Sequence, residues 1–176
     1  MVMFAGHCGY VPYDRCLVFI GHHDDHLLEC AAPPLEAKWG DTDLEWILLE
    51  ACGSLTYDVP TGSGSQNKTA GYWATALQGS DIICGAVTDM FSHEDDDNGY
   101  HVARRLIGAE GGTVHTVMSA WFLGCDVHQP PPVKLAVISE NSGCLLDYIW
   151  GQGSGPNYPD GPPVDNQYSW VRYTCQ

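Results

Sequence analysis

Apolar residues in this chain come in short runs separated by turn-forming or helix-periodic stretches, and that spacing limits the fold more than any other feature. Residues 1–6, 16–20, 44–51, 81–87 and 133–139 each read as a buried strand, being too brief for a core helix. Turn-rich residues 8–15 separate the first two runs, so a hairpin or a pair of neighbouring strands is expected there. Between the third and fourth runs comes a Gly/Ser-rich loop at 61–69, then a helical stretch at 70–78 ended by Gly79. An acidic loop at 92–98, a helix near 100–107 and a second helix capped by Thr113 and running to about Leu123 separate the fourth from the fifth. A Gly/Pro-rich tail at 151–163 leads to an expected edge strand at 168–173. Strands alternating with helices predict an α/β fold with a largely parallel sheet. There is no internal repeat and no second core, so residues 1–176 read as one domain on which the 151–176 tail packs. A domain seldom opens on a core strand, and the pattern predicts that the N-terminal strands of a longer chain are missing.

Composition narrows the function classes. With 44% hydrophobic and 16% charged residues, 176 residues can bury one core. The 22 Asp and Glu against 7 Lys and Arg leave a net charge of -15, which repels phosphate backbones and anionic lipid; no nucleic acid partner is expected. No apolar run approaches the roughly 18 residues that span a bilayer, so no membrane insertion is expected, and residues 1–6 lack the charged start of a signal peptide. Eight cysteines fall short of the roughly 8 to 10% of a disulfide scaffold, and no C-x-x-C pair supports a zinc ribbon or a thioredoxin-type site. An even count allows four bridges, whereas one working thiol leaves seven. The Asn67-Lys68-Thr69 sequon and the acidic coat slightly favour an extracellular or cell-surface setting over the cytoplasm.

In open parallel α/β sheets, functional groups collect at the carboxyl ends of strands. His7 and Cys52 stand at two such ends, after Ala5-Gly6 and after Leu49-Glu50-Ala51. If the strands are neighbours, an imidazole faces a thiol, which is what a cysteine nucleophile needs from its base. The plainer alternative is an inert small hydrophobe at Cys52 and a polar residue meeting solvent at His7.

The run Glu50-Ala51-Cys52-Gly53-Ser54, with Gly6-His7 45 residues upstream of the cysteine, resembles the caspase-like cysteine peptidases of clan CD. In caspases the histidine precedes the cysteine by about 50 residues. Trp39-Gly40-Asp41, Asp43-Leu44-Glu45-Trp46, Ala51-Cys52 and Tyr148-Ile149-Trp150-Gly151 together resemble an uncharacterised prokaryotic family known only as a domain of unknown function. The resemblance implies a caspase-like three-layer sandwich with a mostly parallel sheet and helices on both faces. It implies Cys52 as nucleophile and His7 as general base and acid, without a third member. An oxyanion hole would come from the backbone N–H groups of Cys52 and of the residue after the histidine. Clan members usually carry Gly at that second position, and this chain has Cys8, a side chain where glycine's backbone freedom is the rule. Glu50 shares the strand side of Cys52 by the two-residue period, and the resemblance implies that it lines the substrate pocket, favouring a basic or Asn side chain before the scissile bond.

Other residues take lower rank. Gly21-His22 also follows an apolar run, but 30 residues is a short spacing to Cys52. His22, His23 and His26 with Asp24 and Asp25 are ligand types for a transition metal, yet local clusters of this kind are more often solvated loops, as is the acidic run at 94–97. No metal and no cofactor is assigned. Trp46, Trp73 and Trp121 read as core, while Trp150 and Trp170 are available to the sheet edge or to another subunit of a homo-oligomer. The expected partner is a peptide or protein substrate. The rival expectation is an inactive, structural or self-assembling extracellular protein on the same fold, with its spare cysteines in disulfides.

Overall fold

The central strand of the sheet is buried on both faces, and the rest of the architecture follows from covering it. The computed structural model describes residues 1–11, 14–18, 27–29, 44–55, 77, 80–91, 97–153 and 169–176, and gives the backbone alone over 6–11, 14–18 and 27–29. In chain order the strands are β1 (Val2–Val11), β2 (Asp14–Val18), β3 (Leu27–Glu29), β4 (Trp46–Ala51), β5 (Ile82–Ala86), β6 (Lys134–Ser139) and β7 (Ser169–Thr174). Helices α1 (Asn98–Leu106) and α2 (Val117–Cys125) lie between β5 and β6. Five strands, in the order β1-β4-β5-β6-β7, form the body of an open mixed sheet, and β2 and β3 extend it beyond β1.

The two-residue period of each strand sorts its side chains between two cores. Trp46 and Leu48 of β4, Ile82 and Cys84 of β5, and Leu135 and Val137 of β6 pack against Val102 and Leu106 of α1 and Val117, Ala120, Trp121 and Cys125 of α2. On the other face Ile47, Leu49, Ile83, Ala136 and Ile138 meet Leu55 and Leu77. Burying each such large apolar side chain contributes about 1.5–3 kcal/mol relative to leaving it exposed. Trp121 anchors α2: its ring is fully buried and its indole N–H donates to the Gly85 carbonyl at 3.3 Å. At Gly124 a Cβ would stand 2.6 Å from Val102 Cγ2 and 2.7 Å from its backbone nitrogen, so a glycine is what lets the two helices approach this closely.

The sheet is not mostly parallel. β4 is parallel to β1 and to β5, whereas β1/β2, β2/β3, β5/β6 and β6/β7 are antiparallel. One helix between two strands returns the chain to the starting end and gives a parallel pair; two helices do not. Here α1 begins at Asn98, beside Glu50 near the carboxyl end of β4, and after α2 ends at Cys125 the chain reaches Gln129, beside Phe91 beyond the end of β5. The pair descends and returns, so β6 must run against β5.

Two further expectations shift. Residues 1–6 do not stop at Gly6-His7, because residues 7–11 of β1 pair with β2, from His7↔Val18 to Val11↔Asp14, and the hairpin carries the strand onward. Thr113 does not cap α2. Thr116 does, its hydroxyl accepting from the Ser119 N–H at 3.2 Å, because Gly108, Gly111 and Gly112 turn the preceding loop with positive φ and delay the helix. The edge strand expected near the C-terminus is β7. Trp46 and Trp121 lie in the core; Trp73 lies outside the described residues, as does the helix expected at 70–78 apart from buried Leu77. Among the described residues, helices cover one face of the sheet, and no helix is long and apolar enough to cross a membrane.

Candidate functional site

At the carboxyl end of β4 the chain turns through residues 52–55 and is stapled to the neighbouring strand. Gly53 takes φ 58°, a left-handed conformation that costs glycine little. Its N–H donates to the Thr88 carbonyl at 2.9 Å, and the Leu55 N–H donates to the Ala86 carbonyl at 2.8 Å. The fully buried Ser54 hydroxyl accepts from the Ala86 N–H at 3.0 Å. Opposite it Gly85 leaves the room: a Cβ there would stand 2.5 Å from Ser54 Oγ. Three consecutive residues, 53–55, are thus held by hydrogen bonds or tight packing, and Cys52 is presented at the start of a fixed turn.

The sulfur of Cys52 is half-buried and free. It lies between two main-chain groups of one residue, accepting from the Met90 N–H at 3.3 Å and facing the Met90 carbonyl at 3.5 Å. Met90 is held in turn. The side-chain amide of Gln129 accepts from the Phe91 N–H at 2.9 Å and donates to the Phe91 carbonyl at 2.9 Å. Gln129 is 1% exposed and the Phe91 ring 58% exposed, so a buried amide fixes the backbone under an aromatic ring left in solvent. Neither Met90 nor Gln129 stands out in the sequence, because both act through main-chain geometry brought together across 38 residues.

Glu50 accepts a 2.7 Å hydrogen bond from the side-chain amide of Asn98, the first residue of α1. Glu50 follows Trp46 and Leu48 at the two-residue period of β4, on the face those residues turn to the helices, and its partner Asn98 opens α1. Asn98, itself 1% exposed, went unmarked in the sequence, where it reads as the end of an acidic loop. For His7 the backbone alone is described. The parallel register of β1 on β4 runs from Val2↔Ile47 to Gly6↔Ala51, and the next residues in sequence are His7 and Cys52. Cys8 follows within β1, opposite Leu17. His22, His23 and His26 lie outside the described residues, as do Asn67 and most of the acidic run at 94–97.

Two other clusters are on the described surface and in the core. His101 Nδ1 lies 2.9 Å from Glu110 Oε2, Arg105 pairs with the same carboxylate at 2.7 Å, and the His128 ring stands 5.0 Å from that of His101. The hydrogen bond from His101 is the main influence holding the Glu110 carboxyl below its ordinary range, with Arg105 adding to it. At the opposite end of β5 from the Cys52 turn, buried Asp81, Cys144 and Asp147 bring their ligand atoms within 4.8 Å of one another, a donor set that a divalent cation could use. Burial first, then Asp81, pushes the Cys144 thiol up to about 12. Disulfides are not found among the described residues: Cys52, Cys84, Cys125, Cys144 and Cys175 are all free, and the last four are buried in the core.

No curated protein and no solved structure matches the chain. A family model does: that of a domain of unknown function, DUF6345, matches residues 1–173, and the chain belongs to that family.

Proposed function

We propose that this DUF6345 member is a cysteine peptidase, or a related acyl-transfer hydrolase, with a caspase-like arrangement of Cys52 and His7. One observation carries the reading: the in-register parallel pairing of β1 with β4 ends at Gly6↔Ala51, so His7 and Cys52 are the residues that directly follow it on the two neighbouring segments. Paired strands lie about 4.8 Å apart, a backbone separation from which an imidazole can reach a thiol. In the proposed reaction His7 takes the thiol proton and the sulfur attacks the peptide carbonyl. The C–N bond breaks as the imidazolium protonates the leaving amine, and water then hydrolyses the thioester.

The half-buried, undisulfided state of Cys52 supports this reading, and so does the Gly53 turn that presents it. Glu50, oriented by Asn98, supports a preference for a donor-rich side chain before the scissile bond, basic or Asn. The Gly53 N–H is already committed to Thr88, so the oxyanion donors are assigned to the N–H groups of Cys52 and Cys8.

A panel of fluorogenic peptides varied at that position tests it. Turnover after Arg, Lys or Asn that disappears in Cys52→Ala and His7→Ala is expected. Turnover after Asp with none after Arg, Lys or Asn would sink the specificity; a Cys52 inert to iodoacetamide would sink the enzyme. The second reading, an interaction module that has kept the fold and lost the chemistry, draws support from Cys8 where clan CD has glycine. It expects no turnover on any peptide.

A further inference from the structure

We propose that Gln129 is a positioning residue for the Cys52 thiol, acting through a clamp on the backbone of residues 90 and 91. The inference rests on Cys52 being the reactive thiol of the proposed function, but its geometry is independent of which substrate is cut. Starting from the core, Trp121 fixes α2 beneath β5 through full burial and its bond to Gly85. The Gln129 N–H donates to the Cys125 carbonyl at 3.0 Å, which ties the residue to the last turn of that helix. From this anchor the side-chain amide makes the pair of bonds that a neighbouring β-strand would make, one to each main-chain group of Phe91. The peptide before Phe91 is thereby set; it carries the Met90 carbonyl that faces the sulfur at 3.5 Å, and it anchors one side of the residue whose N–H, on the preceding peptide, points at the sulfur from 3.3 Å.

Burying a glutamine has a cost unless both amide groups are satisfied. Here both are satisfied by a segment whose own side chain, Phe91, gains little by being held, since its ring is 58% exposed. Core packing of that ring therefore does not account for the clamp, whereas holding the neighbouring Met90 against Cys52 does. A donated N–H stabilises a sulfur that carries negative charge in the attack on carbon, and it does so only while its direction is maintained.

Site-resolved alkylation tests this on the full chain, with iodoacetamide at fixed pH and mass spectrometry of the Cys52 peptide, alongside thermal melting. Gln129→Met keeps the bulk and removes both bonds; Gln129→Glu keeps the acceptor for the Phe91 N–H and loses the donor to its carbonyl. The expected result is alkylation of Cys52 at least 5-fold slower in Gln129→Met and intermediate in Gln129→Glu. Phe91→Ala, which leaves the clamped backbone in place, should stay within 2-fold of the parent. The sign separates positioning from loosening, because a merely loosened structure alkylates faster, at Cys84 and Cys125 as well as at Cys52. An unchanged or faster Cys52 rate in the folded Gln129 variants overturns the proposal; if Gln129→Met does not fold, Gln129→Glu decides alone. A parent Cys52 that does not react at all overturns the peptidase reading instead, so the two failures are distinguishable.

Discussion

Two kinds of cysteine lie around the central strands. Cys84 and Cys125 lie fully buried between β5 and α2, where desolvation drives both thiols far above their ordinary range. Cys52, at the carboxyl end of β4, is half-buried and meets main-chain N–H and C=O groups in place of side-chain carbon. Chemistry of the residue is constant between the two places; what differs is whether polar groups are fixed around the sulfur. The contrast teaches that thiol burial here serves packing at one place and leaves a presented, hydrogen-bonded sulfur at the other.

The largest effect that would break the contrast is catalytic. Under the proposed function, Cys52→Ser should lower peptide turnover at least about 10⁴-fold, as loss of a covalent nucleophile does, while Cys84→Ser should act on stability and leave the turnover of folded protein near the parent value. Comparable losses of turnover per folded molecule in both variants would erase the distinction.

Next in size is the anchor that both regions share. Trp121→Ala removes a fully buried indole and the bond to Gly85, and should cost about 3–5 kcal/mol in denaturant unfolding. Because α2 also carries the chain to Gln129, the same variant, where folded, should alter Cys52 alkylation; a large loss of stability with no change at Cys52 would show that the two regions are mechanically separate.

Titration sharpens the comparison from the buried side. Burial, then Asp126, pushes the Cys175 thiol up to about 11, and burial, then Asp81, pushes Cys144 to about 12. The folded state keeps these protons after an unfolded thiol, which titrates at 9.0, has lost its own. Their contribution is therefore complete below pH 9.0 and declines as pH rises through about 11 and about 12. In the affected range each such thiol should steepen the loss of unfolding free energy by about 1.4 kcal/mol per pH unit. Urea unfolding at pH 8, 9.5 and 10.5 checks the slope, and a flat profile would contradict it.

How much of this could be read in the chain follows from which forces are local. Apolar runs at 44–51, 81–87 and 133–139 announced β4, β5 and β6 because a strand buried on both faces has no polar face to confuse the pattern. Cys52 was visible as the residue that ends such a run. Strand direction was not, because a two-helix connection and a one-helix connection look alike until the helices are counted and placed; hence the antiparallel β6. Gln129, Met90 and Asn98 escaped notice for a related reason: each contributes through a hydrogen bond spanning 38 or 48 residues, and no spacing rule connects them to Cys52 or Glu50.

The smallest expected effect comes from a second indole. Trp150 lies just before the positive-φ Gly151 and is 66% exposed, whereas Trp121 is fully buried, so residue type is held fixed while burial is changed. A side chain that keeps most of its surface in water when folded loses little on truncation, and Trp150→Ala should move stability by no more than about 0.5 kcal/mol. Measuring it at two protein concentrations adds a second reading. Were the ring covered by another copy of the chain, the variant would lower the melting temperature more at high concentration than at low, since association stabilises the folded state by mass action. A concentration-independent shift within that small range leaves the burial contrast between the two tryptophans intact and assigns Trp150 no role in holding copies together.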